Sequence, residues 1–173
     1  MVDLSERGPD VYRFHPAVLV GAVVLAVFLQ SALPIYAPVP QLLALFELPF
    51  LVVVYFGFSR RNPSTGLLLG LGVGVLQDAL SHNPIGLYGM AKTLVGFAAS
   101  SLSSRVDTDP PTARLLLVFG FYFFHQVTYA LVEELLLART AEMVSLTVLE
   151  AALVNALLGV ILFPVLDRFR RVA

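Results

Sequence analysis

Six long apolar runs, joined by short polar segments, constrain this chain more than any other feature of its sequence. They cover about residues 16–33, 41–58, 64–80, 86–103, 113–137 and 146–166. A helix needs about 20 mostly apolar residues to cross a bilayer, and fewer where the bilayer thins or flanking side chains snorkel. No alternating pattern persists that would suit a strand, and lipid requires backbone groups to be satisfied inside a helix or a closed barrel. The expectation is an all-α fold: a polytopic bundle of six transmembrane helices, making one integral membrane domain over residues 1–173. Composition agrees. Only 13% of the residues are charged and 58% are hydrophobic, whereas about a quarter of a soluble domain is charged. The first run ends in Leu33-Pro34-Ile35-Tyr36 without a small-residue cleavage site and is followed by similar runs. It reads as a span and not as a signal peptide.

The cations set the orientation. With six spans both termini share a side, and that side carries Arg7, Arg13, Arg60, Arg61, Arg105, Arg114, Arg168, Arg170 and Arg171. The other side carries Arg139, and Lys92 lies within a span. Short loops rich in Lys and Arg stay in the cytoplasm, so both termini are expected there, in a multi-pass protein of the plasma membrane.

Polar residues inside the runs are the candidates for function, since each is costly in lipid. Gly66, Gly70 and Gly74 recur every fourth residue, and Asp78 continues the stripe. Small residues in such a stripe let another helix backbone approach closely. Asp78 then faces protein, either as a polar cap on a packing face or as a group holding the fold or a partner. Gly89, Lys92, Thr93, Gly96 and Ser100 share a face of the fourth run. The short turn between these runs makes them antiparallel neighbours, so an ion pair between Asp78 and Lys92 is expected. In the fifth run Tyr122, His125, Tyr129 and Glu133 fall at helical spacing, with Gln126 alongside. Glu47 lies in the second run, and Glu150 and Asn155 in the sixth. On the expected topology Glu47, Asp78, Glu133, Glu134 and Glu150 all lie in the outer half of the membrane. Their common depth implies a water-accessible polar cavity open to the outside, with Glu47, His125, Glu133 and Glu150 as its candidate lining.

Several activities are excluded or left without support. A net charge of −1 with dispersed cations argues against nucleic acid. With no cysteine, disulfides, thiolate metal sites and thiol nucleophiles are impossible. The three histidines, at positions 15, 82 and 125, fall in separate segments, with no H-E-x-x-H and no G-x-S-x-G turn. Glu133-Glu134 with Arg139, and Phe121 with His125, resemble fragments of intramembrane CAAX-type proteases. The arginine is one residue too far, and the histidine element precedes the acidic pair instead of following it. There is no phosphate-binding loop. The expectation is a protein that is not an enzyme, with no cofactor and no metal.

The third and fourth runs carry a family resemblance. Thr65-Gly66-Leu67-Leu68-Leu69-Gly70, Leu76-Gln77-Asp78, Asn83-Pro84-Ile85-Gly86-Leu87 and Thr93-Leu94-Val95-Gly96-Phe97 resemble the core of the rod shape-determining protein MreD family. Members show a glycine-rich helix ending in Asp, a short Ser/Gly/Pro turn, then Gly-Leu and a Leu-rich helix. The specific likeness covers residues 60–104. The Asp, Gly and Leu of the family pattern fall on Asp78, Gly86 and Leu87; together with the glycine stripe and the polar face of the fourth run, the candidates for structure or a partner interface are Gly66, Gly70, Gly74, Asp78, Gly86, Leu87, Lys92 and Gly96.

The resemblance implies a non-catalytic inner-membrane component of the bacterial cell-elongation machinery. Its implied partners are MreC, a single-span periplasmic scaffold, and through it the RodA glycosyltransferase, its paired transpeptidase and the MreB filament, all in contact with membrane lipid. The family is also similar in fold to the substrate-binding subunits of energy-coupling-factor vitamin transporters. That kinship gives the alternative, a solute-binding subunit in which Glu47, Asp78, Lys92, His125 and Glu133 line a site.

Overall fold

Prolines and polar caps decide where the helices begin. Pro16, Pro63 and Pro111 each open a helix, where a missing N–H costs nothing and the fixed φ suits the first turn. Asn62 caps the helix after it by accepting from the Thr65 N–H at 3.2 Å, and Ser145 caps another by accepting from Val148 at 3.3 Å. The computed structural model describes residues 12–36, 43, 45–81, 84–106, 108–139, 143 and 145–172. Among these, six helices form: α1 (Pro16–Tyr36), α2 (Leu48–Arg60), α3 (Pro63–Leu80), α4 (Leu87–Leu102), α5 (Pro111–Leu137) and α6 (Leu146–Asp167). β1 (Tyr12–Arg13) pairs antiparallel with β2 (Arg171–Val172), which brings the two ends of the described chain together. Arg7, His82 and Asn83, named in the reading of the sequence, and position 41, where the second run was expected to begin, lie outside the described residues.

The fold class is all-helical, as the six runs imply. Two helices, α5 and α6, are long and apolar enough to cross a membrane by length and composition. The 18 residues of α3 extend about 27 Å and the 13 of α2 about 20 Å, against a hydrocarbon core of about 30 Å.

The second run departs most from expectation. Helix α2 begins at Leu48 and not near residue 41, and Glu47 stands before it at φ −132°, ψ 69°, outside the helix. Pro49 is the cause. A helix running through it would lose the bond from residue 49 to the Leu45 carbonyl and force the proline ring against that carbonyl. The Leu45 carbonyl instead accepts from Asn155 Nδ2 at 2.7 Å. Two amide side chains bind the break from both sides. Asn155 of α6 also accepts the Glu47 N–H at 2.9 Å. Gln30 of α1 donates to the Phe46 carbonyl at 2.8 Å and accepts from the Leu48 N–H at 3.0 Å. Buried backbone outside a helix needs other partners for its polar groups, and here four of them are satisfied by two side chains.

From that break α2 runs through the middle of the molecule and touches all five other helices. Every residue from Pro49 to Ser59 is buried, which is what an all-apolar sequence such as Phe50-Leu51-Val52-Val53-Val54 requires of its surroundings. Aromatic rings lock it in place by edge-to-face contact. Phe50 meets Tyr122 at 5.6 Å between centroids, Phe58 meets Phe121 at 5.5 Å, and Phe14 meets Phe56 at 5.1 Å.

The tightest contact joins α3 and α4. A Cβ at Gly66 would overlap the Gly96 carbonyl and the Ser100 hydroxyl, one at Gly70 the Lys92 carbonyl, and one at Gly74 the Tyr88 carbonyl. The two backbones therefore touch along three turns, with Gly96 opposite Gly66. Such close backbone approach gains packing contacts of a kind that does not depend on hydrophobic burial. Gly72 lies on the opposite side of α3, where a Cβ would meet nothing within 4 Å.

Candidate functional site

The close approach of α3 and α4 fixes Lys92 against the break before α2. Its side chain is fully buried, and its Nζ lies 2.8 Å from Glu47 Oε1. Gln77 Nε2 donates to the same oxygen at 2.9 Å. The remaining ammonium protons face His125 Nε2 at 3.4 Å and the ring of Tyr88, whose centroid is 4.1 Å away. This cation–π contact adds to the ion pair inside a dry environment. A protonated Lys92 donates to Nε2, so the His125 proton belongs on Nδ1. That nitrogen has no hydrogen-bond partner among the described residues, and neither has Gln77 Oε1. Phe50, Tyr88, Tyr122 and Tyr129 surround the imidazole at centroid distances of 5.3–6.5 Å.

Asp78 and Lys92 do not form the expected pair. Asp78 is fully buried and turns to the start of α4. Its Oδ2 accepts from the N–H groups of Gly86 at 2.9 Å and Gly89 at 3.1 Å, and its Oδ1 from that of Tyr88 at 3.1 Å. The first turn of a helix leaves its N–H groups without partners and carries a partial positive charge. The N-cap here is Gly86, which has no side chain to offer, so a carboxylate from the preceding helix caps α4 in its place. Gly86 sits at φ +114°, a conformation that suits glycine alone. Leu87 is buried beside it at 2% exposure.

The four residues expected to line one outward cavity do not converge. Glu47 and His125 are buried in the cluster with Lys92, at 8% and 3% exposure, and these side chains pack against one another. Glu133 lies about two turns further along α5 and is partly exposed, and Glu150 is exposed on α6. Helical spacing keeps Glu133 near the stripe of His125 but about 12 Å further along the helix, away from the buried cluster. Gly66, Gly70, Gly74 and Gly96 are likewise engaged within the chain.

A second polar network, which the sequence reading treated only as loop charge, lies at the other end of α2. Asp167 accepts from Arg114 and Arg170, each at 2.7 Å, and from the Tyr55 hydroxyl at 2.8 Å. Arg114 also donates to the Thr108 carbonyl at 2.7 Å, and Asp109 stands 3.8 Å from Arg114 and 3.5 Å from Arg170. This network ties α2, α5 and α6 to the loop before α5. Gln30 was missed as well. The signal for it was Pro49 inside an apolar run, which announces carbonyls in need of donors.

Both networks hold helices together. Among the described residues no group of three His, Asp or Glu side chains is placed to hold a metal ion. Comparison with known proteins gives one assignment: the family model described as rod shape-determining protein MreD matches residues 12–172. No curated protein and no solved structure matches the chain.

Proposed function

The chain belongs to the rod shape-determining protein MreD family, whose members are membrane proteins with a role in rod shape determination, and we propose that it is a non-catalytic scaffold of the bacterial cell-elongation complex. In this reading it binds MreC and through it connects to RodA, its paired transpeptidase and the MreB filament. The observation that carries the reading is where the intramembrane polar residues go. Glu47, Lys92, Gln77, Asp78 and Asn155 each bind another part of the same chain, as the struts of a rigid body do. A solute site needs polar groups converging on an open space, and the close packing of Glu47, Lys92 and His125 weighs against the transporter alternative.

The proposed topology is six spans with both termini in the cytoplasm. Support comes from the antiparallel pairing of Tyr12–Arg13 with Arg171–Val172, which needs both ends on one side, and from the concentration of arginine there. Helix α2 then crosses together with the bound, non-helical segment that precedes it.

Co-purification in mild detergent with MreC from the same cells, followed by size exclusion, tests the function. A stoichiometric complex is expected. Elution alone, or with an ATPase module and a bound small molecule, would overturn the scaffold.

A further inference from the structure

Three helix ends meet at the arginine-rich face, and glycine contacts fix their register. A Cβ at Gly57 of α2 would lie 2.9 Å from the Ala99 Cβ and 3.6 Å from the Ser100 nitrogen of α4. Gly66 of α3 packs on the same Ser100 and on the Gly96 carbonyl. Helices α2 and α4 run in the same direction, since Glu47 meets Lys92 at one end and Gly57 meets Ser100 toward the other. Arg60 and Arg61 therefore follow Gly57 by about 4.5–6 Å, and Arg105 follows Ser100 by about 7.5 Å at most. The Arg105 N–H donates to the Leu102 carbonyl at 2.9 Å, which keeps the chain turned beneath α4. The backbone thus brings Arg60, Arg61 and Arg105 to one corner of the molecule. Arg105 is exposed and the other two are partly exposed.

These arginines differ from the other pair on that face. Arg114 and Arg170 each lie 2.7 Å from Asp167. Arg60, Arg61 and Arg105 form no ion pair with a carboxylate among the described residues. Cations gathered without a counter-charge repel one another, and an anion placed among them removes that repulsion. Arg61 also stands at φ 50°, ψ 22° at the C-cap of α2, where glycine or asparagine is the usual residue. The chain keeps a guanidinium where the backbone favours glycine. Along α3 and α4 away from the arginines, the exposed residues pass from Ser64 and Ser101 to Leu68, Phe97 and Leu94. Cation, hydroxyl and hydrocarbon succeed one another in the order of a phospholipid's phosphate, ester and acyl chain. We propose that Arg60, Arg61 and Arg105 hold the phosphate of an anionic phospholipid whose chains lie on the exposed face of α3 and α4. Guanidinium forks match phosphate oxygens, and basic clusters beside spans on the cytoplasmic side select anionic headgroups. The site rests on the glycine contacts and not on the scaffold reading. Its leaflet, the cytoplasmic one, follows from the topology proposed above.

Native mass spectrometry of the full chain in mild detergent, titrated with phosphatidylglycerol or phosphatidylcholine, reads the preference for an anionic headgroup. Arg61→Gln and Arg105→Gln are each expected to cut that preference about fivefold, the effect of one cation at a membrane surface, and together about 25-fold. Arg168→Gln removes an exposed cation outside the cluster and should leave the preference unchanged. Arg61→Gly separates binding from folding. It suits the left-handed backbone, so the melting temperature without added lipid should hold or rise while the preference falls as in Arg61→Gln. An equal loss in Arg168→Gln, or no loss in the double variant, overturns the proposal. Displacement of the lipid by millimolar inorganic phosphate overturns it too, as the mark of a site for free anions. So does a photo-crosslinker at Ser101 that captures protein instead of lipid in cells. An error in the leaflet shows up separately. The chain has no cysteine, so Ser64→Cys and Arg139→Cys report sidedness to an impermeant maleimide whatever the lipid does.

Discussion

The two polar networks at the ends of α2 differ in how much depends on each member. At the Glu47 end a fully buried ammonium has one carboxylate at 2.8 Å, with a ring face and an imidazole as its other neighbours. At the Tyr55 end, Asp167 accepts three hydrogen bonds, and both arginines also lie within 4 Å of Asp109, whose side chain is 66% exposed. Water reaches the second network and its members share partners. The first is sealed and has no substitute for either ion. A charge buried in a low-dielectric interior is costly when its partner is removed, whereas exposed pairs contribute little individually. The buried end specifies the fold, and the terminal end reinforces it.

The largest effect is therefore expected at Lys92. Lys92→Met leaves Glu47 buried without its cation and should cost about 3–5 kcal/mol, read as a loss of monodisperse protein and a large fall in melting temperature in detergent. The double variant with Glu47→Gln removes the stranded charge and should recover much of that loss. A double variant no better than Lys92→Met alone would mean that shape, and not charge pairing, makes this position sensitive.

Next comes the glycine seam that positions Lys92. Gly70→Ala places a methyl group against the Lys92 carbonyl, forces α3 from α4 and should cost about 1–3 kcal/mol. Gly72→Ala, two residues away and facing open space, should be neutral or slightly stabilising, because alanine favours the helix. Equal effects at both positions would remove the seam from the argument.

How much of this was legible in the sequence follows from what hydropathy and periodicity encode. Six apolar runs mark six helices, and a four-residue glycine repeat marks a seam, because both are local along one element. Partner choice is not local. Asp78 and Lys92 lie on adjacent helices at similar depth, so pairing them was the nearest solution, but the N–H groups of Gly86, Tyr88 and Gly89 lie nearer to Asp78 and Glu47 nearer to Lys92. Glu47 became available because Pro49 breaks the second run. Pro49 was visible, but its consequence depended on Gln30 and Asn155, distant in sequence. The outward cavity failed for a related reason. Sequence gives the depth of Glu133 and Glu150 but not the neighbour each faces. The terminal network was hidden because arginines were counted for orientation, a use that ignores what each one touches.

The smallest effect is expected at Arg170. Its side chain donates to Asp167 at 2.7 Å and to the Tyr55 hydroxyl at 3.2 Å, so the contact list alone would rank it close to Lys92. Arg170→Gln, however, leaves Asp167 with the Arg114 guanidinium and the Tyr55 hydroxyl still in place. The side chains of Arg170 and Asp167 are 14% and 21% exposed, so the loss should be about 1–2 kcal/mol, between that of an exposed pair and that of a sealed one, and shrink in high salt as far as water reaches the pair. Lys92→Met should show no salt dependence, since ions do not reach a side chain with no exposed surface. Melting temperatures of the two variants at low and high salt put both claims in one experiment. A salt-insensitive loss at Arg170 as large as that at Lys92 would show that the terminal network is as brittle as the buried one, and sharing partners would then explain nothing.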